Sequence, residues 1–325
     1  MFCSHRSLFM RLLKISPFRV LPATRHLPLA TCFLLFAFCS SPAQEAGKSG
    51  LAFLKIGVGS RGAALGEAYS ALVDEPAALY WNPAGLAAVK GTHLTFSHVS
   101  WLQNINHEFA AVTFPGFGGT LGLGVIALMY PDIQVRTEQP TAEPIGTFDA
   151  QELAAVLAFG RQWRPNLAAG FSVKYLYEKI YLNSTTGFAV DLGGLWQTPL
   201  EHLKLGVTLQ NLGSMGALRR EDIKLPALVR LGGAYALPIS AGENQLALTA
   251  EHVRFLRGGE GSSAGAEFLF RKMLALRAGY QFNRENRSVT GGFGTAFGRY
   301  QLDYGYAPFA NDLGNAHRFS VEVKL

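Results

Sequence analysis

Cysteine is almost missing from this chain, and what there is sits in one place: Cys3, Cys32 and Cys39 all precede residue 43 of 325. If that stretch is removed, the mature product has no thiol, which excludes disulfides, thiolate metal sites and cysteine catalysis together. Acidic residues are also absent before Ala43, where Arg6, Arg11, Lys14, Arg19 and Arg25 stand alone. Removing those five from 29 basic groups leaves 24 against 23 acids, a net charge of +1 in place of +6, so a basic nucleic-acid binder is excluded. Charged residues make up only 16% of the chain, below the usual ~25% of soluble domains. Long apolar helices are lacking as well. Beyond the leader, the longest uncharged stretch, Phe109 to Pro131, carries Pro115, Gly116, Gly118, Gly119, Gly122 and Gly124. Those residues weaken a helix and read as two strands joined by a turn.

What is present begins with an export signal. Basic residues lead into the apolar run Leu27 to Cys39, and Ser41-Pro42-Ala43 supplies small side chains for a signal peptidase. We read residues 1–43 as a signal peptide and Gln44 as the mature N-terminus, with an organellar transit peptide as the alternative.

From His93 onward the sequence alternates with period two, which sets one face in an apolar and the other in a polar environment. Leu203, Leu205, Val207 and Leu209 alternate with Lys204, Gly206, Thr208 and Gln210, and Phe319, Val321, Val323 and Leu325 with Arg318, Ser320, Glu322 and Lys324. Fourteen such segments are readable, near 93–101, 106–114, 119–130, 150–162, 167–180, 186–197, 203–210, 227–236, 244–253, 262–270, 273–282, 288–297, 299–306 and 317–325. The fold class expected is all-β: a transmembrane antiparallel barrel of about fourteen strands. A secreted β-sandwich also alternates. Against it stand charges of both signs at inward-type positions, namely Lys174, Asp191, Lys204, Arg230, Glu251, Glu267, Arg277 and Asp303, which suit a polar lumen better than a sealed core. Trp101, Tyr130, Trp163, Tyr181, Trp196, Tyr235 and Tyr306 fall near strand ends, where a bilayer interface favours amphipathic rings. The connections 131–148 and 211–225 are the longer, more polar ones, and loops are expected there.

Residues 44–92 break the alternation. Gly57-Val58-Gly59-Ser60-Arg61-Gly62 precedes a helix-favouring stretch, Ala63 to Leu72, and then Tyr80-Trp81-Asn82-Pro83-Ala84-Gly85-Leu86. The glycine spacing satisfies a dinucleotide fingerprint, but no further helix–strand crossover follows, so tight packing of a plug against the barrel wall is the better account and no cofactor is expected. His93 and His98 face opposite sides of one strand, so with His107 they make no metal site. Asp74 and Glu75 before Pro76 read as a solvated turn. No catalytic motif is present, and no enzyme is expected. The Asn82 amide both donates and accepts, which would let it tie this segment's backbone to the wall while Pro83 fixes the turn and Trp81 anchors it.

The stretch Gly57 to Ala68 followed by Tyr80 to Leu86 resembles the opening of the PorV/PorQ family of outer-membrane proteins, and Asn82-Pro83-Ala84 is similar to the motif in the N-terminal hatch of FadL-type fatty-acid channels. The resemblance implies a fourteen-stranded barrel, residues 93–325, in a Gram-negative-type outer membrane. It also implies a small plug containing a short helix, residues 44–92, with Trp81, Asn82, Pro83, Ala84 and Gly85 as its structural motif. For function it implies a non-enzymatic component of type IX-like protein secretion, with secretion subunits or exported proteins as partners. The alternative is a FadL-like passage for hydrophobic small molecules. Outer-membrane lipid is the common partner of both.

Overall fold

The computed structural model describes residues 49–102, 105–139, 142–218, 221–238, 243–282, 289–311 and 314–325. The signal peptide read over residues 1–43, its cleavage after Ala43 and all three cysteines lie outside the described residues.

Among the described residues, sixteen strands follow a short N-terminal segment: β1 His93–Ser100, β2 Asn106–Gly116, β3 Gly119–Val135, β4 Gly146–Arg164, β5 Leu167–Ile180, β6 Asn183–Gln197, β7 Leu203–Met215, β8 Ala217–Leu218, β9 Glu221–Asp222, β10 Leu228–Leu237, β11 Gln245–Phe255, β12 Glu260–Phe270, β13 Leu274–Phe282, β14 Val289–Phe297, β15 Tyr300–Pro308 and β16 Asn315–Lys324. Fourteen of them close into one antiparallel barrel, sealed where β1 pairs β16, and β8–β9 form a separate two-stranded ribbon. Closure leaves no unpaired edge, which is what a sheet needs where no water can satisfy its backbone. No helix among the described residues is long and apolar enough to cross a membrane.

The alternation sorts the side chains as the pattern predicts. Leu205, Val207, Leu123, Val125, Leu157, Phe188, Leu302 and Phe319 face outward and are exposed, whereas Thr208, Gln210, Ser172 and Gln281 face inward and are buried. A groove of about 590 Å³ outside β1–β6, floored by Ala110 and Ala155 and walled by Tyr175 and Phe188, belongs to this lipid-facing surface.

Three expectations need correcting. The longer connections are shorter than the sequence suggested, because strand pairing continues past local breaks. Between Tyr130 and Ile133 a bulge absorbs Pro131 and Asp132, which stands at φ 56°, and β3 and β4 stay paired out to Val135 and Gly146. A second irregularity, between Val190 and Leu192 with Asn211 at φ 57°, lets β7 run on to Met215. The aromatic belt is also incomplete: Tyr130 turns inward to donate to Glu152 at 3.2 Å, and Trp101 packs edge-on to Phe309 at 5.1 Å.

The third correction concerns the N-terminal segment. The helix expected over Ala63 to Leu72 is confined to Ser60–Ala64. Gly66 and Glu67 adopt left-handed φ of 68° and 69°, which ends the helix after little more than one turn. Short 3₁₀ turns at Ala52–Lys55 and Pro83–Ala88 and one helical turn at Ala78–Trp81 complete the segment.

Candidate functional site

The segment from residue 49 to 92 runs through the barrel from one end to the other. Gly50 N–H donates to Lys224 O at 3.0 Å, between β9 and β10, on the side that carries the longer connections and that is extracellular in such barrels. At the opposite end, Thr120 Oγ1 donates to Val89 O at 3.0 Å and Leu325 N–H to Thr92 O at 2.8 Å. In between, Phe53, Leu54, Val58, Leu65, Tyr69, Leu79, Trp81 and Leu86 are buried.

Irregular backbone buried in a lumen needs partners for its polar groups, and the wall supplies them from inward-facing side chains. Ser320 Oγ accepts from Ser60 N–H at 2.9 Å, Thr290 donates to Ala64 O at 3.1 Å, and Gln281 donates to Gly66 O at 3.0 Å. Glu251 Oε2 accepts from the N–H groups of Tyr69 and Ser70 at 3.1 and 2.8 Å. Gln210 donates to Tyr80 O, and Arg318 to Gly57 O.

Close approach comes from glycines in the wall. Gly160, Gly170 and Gly193 are cross-strand neighbours on β4, β5 and β6. A Cβ on Gly160 would lie 2.7 Å from Leu86 Cβ, and one on Gly193 would lie 2.9 Å from Pro83 Cδ. Asn82-Pro83-Ala84 therefore lies on a bare strip of backbone. The pair Gly206/Gly232 receives Ser70–Ala71 in the same way, Gly265/Gly279 receives Leu65–Gly66, and Gly292/Gly305 receives Ser60 and Ala64. The segment thus winds around the inside of the wall from one glycine rung to the next. Gly57 and Gly62, expected to pack against the wall, instead make room for Trp81, whose ring would meet their Cβ atoms at 2.5 and 2.9 Å.

The predicted motif residues converge. Asn82 Nδ2 donates to Ser70 O at 2.9 Å and to Gly194 O on β6 at 3.2 Å, while its Oδ1 accepts from Ala84 N–H at 3.1 Å. Trp81 donates to Val58 O at 2.9 Å, stands edge-on to Tyr69 and Tyr80, and carries the Arg230 guanidinium 5.0 Å over its ring. Pro83 opens the Pro83–Ala88 turn, in which Ala84 and Gly85 are buried. Gly85 lies against Val73, whose carbonyl oxygen would be 2.6 Å from an added Cβ.

Of the eight lumen charges predicted, seven are buried and paired. Lys174 meets Asp191 at 2.7 Å, Arg230 meets Glu251 at 2.8 Å, and Arg277 bridges Glu267 and Asp303, each at 2.6 Å. Lys204 is half-buried and outside these pairs. The partner the sequence did not suggest is Arg61. Its guanidinium donates twice to Glu267, both at 2.8 Å, and also to Asp74 at 2.6 Å, so a continuous chain Asp74–Arg61–Glu267–Arg277–Asp303 ties the segment to β12, β13 and β15. Glu75, 3.7 Å from Arg61, is half-buried beside this group, so that of the solvated turn expected only Asp74 is exposed. Burial, with Glu322, Asp303 and Asp74 nearby, outweighs the attraction of Arg61 and lifts its carboxyl from 4.5 to about 8. These groups line a cavity of about 230 Å³.

The other side of the lumen is apolar. Leu51, Phe53, Leu54 and Val58 form one cluster with Phe109, Ile126, Leu128, Val156, Leu176, Ala189 and Met215 of β2–β7. Charge thus gathers on β10–β16 and hydrocarbon on β2–β7, with the Lys174–Asp191 pair and the buried Glu152 and Glu178 as exceptions.

The three histidines stay apart. His93 faces the lumen and bonds Glu322 at 2.6 Å, His98 faces outward and bonds Glu108 at 2.6 Å, and His107 is fully buried with neither ring nitrogen bonded. Among the described residues, no group of three or more His, Cys, Asp or Glu is placed to hold a metal.

No protein-family model matches the chain, and no curated protein matches it. Solved structures do. The CymD monoaromatic hydrocarbon channel superposes with a TM-score of 0.57 at 13% identity, over 83% of this chain and 98% of that one. A deltaS2 mutant of the TodX monoaromatic hydrocarbon channel gives 0.54 at 13% identity over 82% and 97%. The Pseudomonas putida toluene transporter TodX gives 0.51 at 11% identity over 79% and 96%. At this identity the likeness is one of fold. Closed and apolar on its outside, the chain is a β-barrel of the Gram-negative-type outer membrane with a fold similar to that of these channels.

Proposed function

We propose that the protein is a non-enzymatic conduit for hydrophobic small molecules, in which residues 44–92 act as a plug within the barrel of residues 93–325. The observation that carries this reading is the apolar side of the lumen. Leu51, Phe53 and Leu54 are at most 1% exposed, packed against Phe109, Ile126, Leu128 and Leu176. These three side chains occupy a hydrocarbon-lined compartment at the end with the longer connections. Displacing the Ala52–Lys55 turn would free it for an apolar ligand, which such compartments bind chiefly through burial. The hydrocarbon channels named above have the same barrel, which supports the reading. Replacing Phe53 and Leu54 by Ala should raise uptake of a monoaromatic hydrocarbon into proteoliposomes, measured as initial rate. Unchanged uptake, equal to that of protein-free liposomes, would refute the conduit.

A second reading keeps the PorV/PorQ resemblance and makes the barrel a partner in type IX-like secretion. It is favoured by the β3–β4 hairpin, which stays paired to Val135 and Gly146, and by the β8–β9 ribbon, both on the loop side where another protein could be met. Photo-cross-linkers at 136–139 and 216–218 that capture translocon subunits would favour this reading over transport.

A further inference from the structure

We infer that Glu152 and Glu178 form a binding site for a divalent cation of the calcium class, near the loop end of the lumen. The two residues are directly opposite each other on β4 and β5, both inward-facing and each 7% exposed. Like charges in that relation repel, and a buried carboxylate without compensation is costly. Elsewhere the wall meets that cost with a partner: Asp191 has Lys174, Glu251 has Arg230, Glu267 and Asp303 share Arg277, and Glu322 has a 2.6 Å hydrogen bond to His93. Glu152 and Glu178 form no ion pair with any described residue. Moreover, Glu178 Oε2 is sealed from solvent and has no hydrogen-bond partner.

The surrounding groups are oxygen donors. Tyr130 OH on β3 donates to Glu152 at 3.2 Å, and Thr185 on β6, also buried, is the cross-strand neighbour of Glu178. Glu152 also accepts the backbone N–H of Phe53. On the same rung toward β16 stand Leu128, His107, Val99 and Arg318, so the titratable neighbours beyond the pair are Tyr130, bonded to Glu152, and then His107 and Arg318 along the rung. Carboxylate and hydroxyl oxygens with no nitrogen or sulfur ligand suit a hard cation, and two carboxylates place its affinity in the weaker range of calcium sites. A shared proton would relieve the repulsion, but a bridging cation would also use the sealed oxygen.

The test uses the full mature chain folded in detergent, with terbium as the luminescent probe and calcium as competitor. We expect saturable terbium emission excited through tyrosine and displaced by calcium, with affinity weaker by about tenfold or more in Glu178→Gln and in Thr185→Val. Both variants put neutral side chains of similar size in place of the oxygen ligand, and retention of heat-modifiable gel migration checks their folding. Absence of saturable binding, or equal affinity in wild type and both variants, overturns the site. So does a pH-dependent stability that Glu178→Gln abolishes without any cation effect, since that marks a shared proton.

Discussion

Asn82 makes three hydrogen bonds, all to backbone groups, one of them to Gly194 of β6 in the barrel wall. Replacing it by Ala leaves the Ser70 carbonyl and the Ala84 amide buried without these partners. Docking should therefore weaken by about 2 kcal/mol or more, measured as faster proteolysis of the N-terminal segment in otherwise folded barrels. Glu75 carries a different expectation. Its docked carboxyl keeps a proton up to about 8, raised from 4.5, so the docked segment binds more protons than the freed one between those values. Docking must then weaken as pH rises through that window and be strongest below it. Proteolysis rates taken from pH 5 to 8 should rise for the wild type and stay flatter for Glu75→Gln.

The strands give the sharpest element-scale expectation. Val207 faces lipid at mid-strand and is 48% exposed, so an Arg there should cost about 2–4 kcal/mol in denaturant unfolding of the barrel in lipid. Thr208 is only 1% exposed because plug and wall fill the lumen beside it. An Arg at 208 therefore meets packed side chains, not water, and its cost should show as loosening of the plug, with the wall intact. The strands were legible because each inward and outward environment repeats every second residue. The missed strand extensions past Tyr130 and Gln210 fall where a bulge or a left-handed residue shifts the phase, so that alternation pauses while pairing continues. The Ala63–Leu72 helix was misread for a related reason: alanine propensity counted for less than the backbone turn at Gly66 and Glu67 that brings the chain onto Gly265 and Gly279. The Trp81–Gly85 motif could be singled out from its residue types. Its landing strip, Gly160, Gly170 and Gly193, could not, since those glycines become neighbours only after two strand registers are known. Arg61 was hidden in the same way, with its main partner Glu267 more than 200 positions away.

At the scale of the whole molecule, the lumen divides into an ionic side that fixes the segment and an apolar side that it fills. The Asp74–Arg61–Glu267–Arg277–Asp303 chain and the glycine rungs hold the middle of the segment, while its first turn, Ala52–Lys55, rests on hydrocarbon, with Phe53 N–H donating to Glu152 and Leu54 O accepting from Tyr80 OH. Such a division lets one end of the plug yield while the rest stays docked. It also accounts for charges of both signs in a barrel proposed to carry apolar cargo, because those charges hold the segment and need not touch the cargo. The most direct measurement is planar-bilayer conductance of the mature chain beside a variant lacking residues 44–92, both verified as folded by heat-modifiable migration. The full chain should be closed to ions and the deletion should open a steady pore. Equal conductance in the two would contradict a plug that seals the lumen.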